Sequence, residues 1–180
     1  MLTPGINFTN FKIKKQSSLV KKKLISILKS KNEVVNSLSQ NYKNSFTKKL
    51  LHKYKKTLNY RVIGMGGSTL GTQTIYNFLK HKITKKFIFT DNLQANPNKN
   101  EKKYTNLIVS KSGNTIETIV NANIYIKNKN KNIFITGNKS SYLYSLAEKL
   151  KSDIIHHNNF IGGRYSVLSE VGMLPAELMG

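Results

Sequence analysis

"LIVSKSGNTIET", residues Leu107 to Thr118, decides how this chain is read. The apolar run Leu107–Ile108–Val109 stops abruptly at Ser110, Lys111, Ser112 and Gly113, and from Thr115 to Lys127 the apolar residues recur at helical spacing. A strand going in, a polar turn and a helix going out form the repeating unit of an α/β sheet.

The same unit recurs on either side. From Asn59 onward the short apolar runs are "YRVIGM", "KFIFTD", "NLIVS", "NIFIT" and "SDIIHH". Helix-like segments span Thr69 to His81, Thr115 to Lys127, Ser141 to Leu150, and Tyr165 to the end. Only the second run lacks a following helix; the polar stretch "NLQANPNKNEKK", with Pro97, stands there instead. Continuous apolar strands alternating with helices predict a doubly wound, five-stranded parallel sheet over residues 59–180. Residues 1–58 are expected to form a separate N-terminal helical segment. Within it Leu19, Leu24, Ile27 and Leu28, then Val34, Val35 and Leu38, then Phe46, Leu50 and Leu51 fit two or three short amphipathic helices with solvated Lys-rich faces. In such a sheet ligands bind outside the carboxyl ends of the strands.

Composition narrows the partners. A net charge of +22 first suggests nucleic acid, yet Arg61 and Arg164 are the only arginines among the 30 basic residues. Base-reading surfaces favour the bidentate fork of Arg, and the Lys are scattered through every segment, so no nucleic-acid partner is expected. Without Cys there is no disulfide, thiolate metal site or cysteine nucleophile. No signal-peptide core opens the chain and no stretch approaches the ~18 apolar residues of a membrane span, so a cytoplasmic protein with no membrane partner is expected.

Three turns could carry chemistry. The first strand ends in "GMGGSTLG", Gly64 to Gly71, which lacks the Lys-Ser/Thr pair of a P-loop and would need Gly at Thr69 for a dinucleotide fingerprint. It remains a glycine-rich turn in which Gly66 and Gly67 allow close approach and Ser68 offers a hydroxyl; a plain strand-to-helix turn is the alternative. In the opening stretch Ser110 and Ser112 can donate, Gly113 and Asn114 permit unusual backbone angles, Thr115 can cap the next helix, and Lys111 adds a full charge. These are the parts of a phosphate cradle. Glu117 reads as a first-turn acid or as a substrate contact. After the fifth strand, "IGGRYSVLSEVG" places Arg164 directly behind two glycines, as a fork for oxygen atoms or as half of an ion pair.

Together "GMGGSTLG", "SKSGNTIET" and "GGRYSVLSEVGMLPAELMG" resemble the glucose-6-phosphate isomerase family, specifically its first sugar-isomerase domain, over residues 59–180. The resemblance implies that Ser110, Lys111, Ser112 and Thr115 hold the substrate phosphate, with help from Gly67 and Ser68. It places Gly163 and Arg164 at the sugar end, Arg164 stabilising a cis-enediolate as a proton moves between C1 and C2. It implies interconversion of glucose 6-phosphate and fructose 6-phosphate without metal or organic cofactor, and a homodimer at full length.

That reaction also needs a carboxylate to shuttle the carbon-bound proton. The resemblance places the family's Glu base, ring-opening His and Lys later in the chain than residue 180. Of the eight acids here none stands in such a setting, Glu170 included; His52, His81, His156 and His157 read as surface or strand-end residues. The sequence stops at "AELMG" within a helical pattern, so the expectation is the front part of a longer enzyme, inactive alone. Two alternatives stay open: a non-catalytic sugar-phosphate sensor with a DNA-binding leader, and a dual-specificity phosphoglucose/phosphomannose isomerase.

Overall fold

The computed structural model describes residues 17–30, 32–39, 41–93, 103–127 and 130–180. The first sixteen residues, and the middle of the polar stretch with Pro97 and Glu101, lie outside the described residues.

Among the described residues three helices precede the sheet: α1 (Ser18–Lys29), α2 (Glu33–Ser37) and α3 (Lys48–Tyr54). The Asn32 side chain starts α2 by accepting from the N–H groups of Val34 and Val35, and Thr47 starts α3 by accepting from Leu50. α1 buries no residue; Leu19, Leu24, Ile27 and Leu28 are as exposed as its Lys face. α3 instead joins the body of the protein, with Tyr54 buried and Phe46, Leu50 and Leu51 packed on the same core.

The strands are β1 (Asn59–Ile63), β2 (Lys86–Thr90), β3 (Thr105–Val109), β4 (Asn132–Thr136) and β5 (Asp153–His156). All pair in parallel, in the order β2-β1-β3-β4-β5. Every residue of β3 and β4 is buried, which is why these strands read as unbroken apolar runs. Alternate residues divide between the faces. Val62, Leu107, Val109, Ile133 and Ile135 meet Val171, Leu174 and Leu178 on one side; Ile63, Ile108 and Phe134 meet Ala122, Tyr125, Leu143 and Ala147 on the other. Truncating the fully buried Leu107 to Ala would cost about 2–5 kcal/mol. Asn106 and Asn132, buried register partners, bond side chain to side chain at 2.8 Å and pin β3 to β4.

Helices α4 (Leu70–Leu79), α5 (Ile116–Tyr125), α6 (Tyr142–Lys149) and α7 (Glu170–Met179) cover the sheet. Of these, α7 differs from expectation at its start. A 3-10 turn over Gly66–Ser68 precedes α4, and residues Gly163–Leu168 form a 3-10 helix that stops at extended Ser169 before α7 begins. The second break has a tertiary cause: added Cβ atoms on Gly71 and Gly172 would fall 2.7 Å and 2.1 Å from Val167, so this segment is wedged between α4 and α7. Pro175 lies inside α7 and has no N–H for the Val171 carbonyl; the Thr72 hydroxyl of α4 donates to that oxygen at 3.2 Å.

The chain leaves β1 for β2 on one side and returns to β3 on the other. The carboxyl ends of β1 and β3 therefore flank the switch point, where a crevice for ligand opens.

Candidate functional site

The β3 turn is built from its own hydroxyls. Buried Ser110 Oγ accepts from the Gly113 N–H at 3.2 Å and lies 3.0 Å from Thr115 Oγ1; Ser112 Oγ accepts from the Asn114 N–H and lies 3.4 Å from the same Thr115 oxygen. Three side-chain oxygens thus gather at the mouth of α5. Thr115 does occupy the N-cap, but its side chain makes no capping bond. The amides of the first turn of α5 are left for something else to satisfy, and the helix dipole favours an anion there.

Gly113 takes φ +68°, as its place in the turn requires, while Asn114 keeps an ordinary backbone and uses its side chain to accept from the Tyr142 N–H at 2.9 Å. The loop after β4 clasps the turn from one side: Gly137 N–H donates to the Lys111 carbonyl at 3.0 Å, and Leu143 N–H to the Gly113 carbonyl at 3.1 Å. Lys111 is half-buried and Ser112 exposed.

The other two turns close on this one. A Cβ on Gly64 would lie 2.9 Å from the Val109 carbonyl, which sets the β1 turn against the end of β3. A Cβ on Gly67 would lie 2.3 Å from the Gly163 carbonyl oxygen, so the space left by the missing side chain is filled by protein backbone. Ser166 Oγ donates at 2.7 Å to the Gly163 carbonyl and reaches the Gly67 carbonyl at 3.4 Å. Gly66, at φ +54°, and Gly163 face open space. Ser68 is half-buried beside them, and Arg164 is exposed with no ion pair among the described residues.

The turns after β1, β3 and β5 therefore meet at one edge of the sheet. The geometry brings together Gly67 and Gly163 by backbone contact, and Ser110, Ser112 and Thr115 by their oxygens. Arg164 follows at the next residue.

One buried group was missed. Glu170, 0% exposed, accepts from the Asn158 N–H at 3.1 Å through Oε1 and from the Tyr42 hydroxyl at 2.9 Å through Oε2. His157, 2% exposed, places Nδ1 3.7 Å from Oε1 and 3.1 Å from the Asn158 carbonyl. His156 is exposed as expected, but His157 is not a strand-end surface residue. Burial holds its imidazole below the ordinary histidine pKa; Glu170 opposes that shift, and the Lys111 charge reinforces it from the β3 turn. The Tyr42 hydroxyl is pushed up to about 12, chiefly by burial. A lone acid ahead of the apolar stretch "VGMLP" was the available signal.

Among the described residues no group of three His, Cys, Asp or Glu side chains could hold a metal, and no helix is long and apolar enough to cross a membrane. A parallel sheet of this order, with hydroxyl- and glycine-rich turns at its switch point, defines a doubly wound α/β domain. The same fold is seen in tagatose-6-phosphate ketose/aldose isomerase from Escherichia coli, at TM-score 0.53 and 19% identity over 85% of this chain and 42% of that one. The chain belongs to the phosphoglucose isomerase family, whose sequence profile matches residues 15–180. It is 38% identical over 154 residues to glucose-6-phosphate isomerase of Acholeplasma laidlawii, and 36% identical over 146 residues to that of Methanocaldococcus jannaschii. These matches take in 73% and 72% of this chain but only 36% of either relative's length.

Proposed function

We propose that this chain supplies the phosphate-binding and sugar-oxygen contacts of a cytoplasmic isomerase that interconverts glucose 6-phosphate and fructose 6-phosphate. Ser110, Lys111, Ser112, Thr115 and the first amides of α5 hold the phosphate, assisted by Gly67 and Ser68. Gly163 and Arg164 address the sugar end, where a cation beside a developing enediolate contributes about 3 kcal/mol. The carboxylate that moves the carbon-bound proton comes from sequence beyond these 180 residues, and the full-length protein works as a homodimer without a metal. The observation that carries this reading is the backbone contact between Gly67 and Gly163, which brings the turns after β1 and β5 together beside the hydroxyl turn after β3.

The test is a titration of the 180-residue chain with fructose 6-phosphate and with inorganic phosphate, followed by amide NMR. Weak binding with shifts centred on residues 110–116 is expected, reduced about tenfold in Lys111→Ala, a typical loss for one charge-assisted contact. Shifts elsewhere, or none, would refute the assignment. Coupled assay of the isolated chain is expected to show negligible turnover.

A further inference from the structure

We propose that Glu170 is a positioning residue: acting through Asn158 and Tyr42, it fixes the loop that presents Gly163 and Arg164 to the sugar end of the site. This inference rests on the sugar-phosphate reading above and adds to it the device that sets the Arg164 geometry.

Arg164 is exposed and no ion pair holds its side chain among the described residues. Where its guanidinium can reach is thus decided by where the backbone delivers it. The loop from Asn158 to Gly163 does that delivery, and three ties hold it. At its far end Ser166 Oγ grips the Gly163 carbonyl. In its middle Ile161 is fully buried, with its N–H donating to the Asn158 carbonyl at 3.1 Å. At its start stands the Glu170 carboxylate, taking the Asn158 N–H on one oxygen and the Tyr42 hydroxyl on the other, while Asn158 Nδ2 donates to the Tyr42 oxygen at 2.8 Å.

These three bonds close a ring that joins the N-terminal segment, the loop and the first residue of α7. A buried carboxylate is an expensive way to gain stability, because an apolar residue of similar volume does as well or better. What a fully engaged carboxylate adds is direction: both oxygens have fixed partners, and the backbone they hold has one arrangement.

The experiment uses the whole 180-residue chain with the variants Glu170→Ala, Glu170→Gln and Arg164→Ala, titrated with fructose 6-phosphate and with inorganic phosphate. Glu170→Ala is expected to weaken fructose 6-phosphate about tenfold while phosphate changes less than about twofold, a coupling of ordinary size for linked residues. Glu170→Gln, which keeps an acceptor for Asn158, should recover part of the loss. In the Arg164→Ala background Glu170→Ala should add nothing. Equal losses for both ligands, no loss, or additive losses in the double variant would overturn the proposal.

If the unaltered chain binds neither ligand, the sugar-phosphate reading fails, and amide exchange still judges the loop. Glu170→Ala should then speed exchange at residues 158–164 about tenfold with β3 and β4 unchanged; uniform or absent acceleration counts against it. Should Glu170→Ala not fold, Glu170→Gln carries the same comparisons at reduced amplitude.

Discussion

The meeting of the β1 and β5 turns can be tested by one methyl group. Gly67→Ala would put a carbon 2.3 Å from the Gly163 carbonyl oxygen, 2.5 Å from its carbonyl carbon and 3.1 Å from its Cα. Carbon atoms rest about 3.5–4.0 Å apart, so the two turns must separate by about 1 Å. Overpacking of this kind costs about 1–3 kcal/mol, and here both sides of the clash are backbone with no rotamer to yield, which places it at about 2–3. For a chain of this size each kcal/mol lowers Tm by about 2–4 °C, so a fall of about 4–12 °C is expected in calorimetry. Gly163→Ala is the matched control. Its Cβ meets nothing within 4 Å and its φ is ordinary, so its Tm should stay within about 2 °C of the parent, as for an unconstrained surface change. Fructose 6-phosphate affinity should fall about tenfold in Gly67→Ala, because a displacement of that size misplaces the sugar-end contacts. An unchanged melting temperature for Gly67→Ala, or an equal fall in both variants, would mean the turns do not touch as described.

Gly113→Ala combines φ +68° with a Cβ 2.0 Å from Ser141 Oγ, and should cost about 2–5 kcal/mol from the two sources together. Adding Ser141→Gly should return only the contact share; full recovery in denaturant melts would show that the backbone angle is not strained. His157 contributes a pH dependence whose sign follows from burial: the unfolded chain binds the proton more readily, so stability is complete above about pH 6.5 and erodes below it. Urea midpoints should fall between pH 7.5 and 5.5, and by less in His157→Gln; parallel profiles would dismiss this role. Tyr54→Phe removes the hydroxyl that donates to Asp153 at 2.5 Å and should cost about 1–3 kcal/mol. Lys53→Ala, which breaks a partly exposed pair with the same carboxylate, should cost at most about 1 kcal/mol, and reversal of that order in thermal melts would be decisive.

The parts of this protein that could be read from sequence are those governed by local rules. β3 and β4 announced themselves because helices cover both faces, leaving no polar alternation to confuse the pattern. The hydroxyl turn was visible because Ser, Gly and Thr crowd into six residues between a strand and a helix. What escaped was set by distant partners. The 3-10 segment at 163–168 has the apolar spacing of a helix, and only the close approach of Gly71 and Gly172 forces it into a tighter winding. Glu170 looked idle because its partner Tyr42 stands 128 residues earlier. Thr115 was legible as a cap position but not as a hydroxyl turned toward Ser110, since that choice depends on hydroxyls meeting in three dimensions.

The Pro175 defect in α7 bears on the order in which this protein assembles. An isolated α7 would carry an orphan carbonyl at Val171, repaired only when Thr72 arrives from a helix 99 residues upstream. α7 is therefore a poor nucleus and a late consolidator. Mutations confined to it should speed unfolding far more than they slow refolding, and Thr72→Val should do the same from the opposite side of the contact.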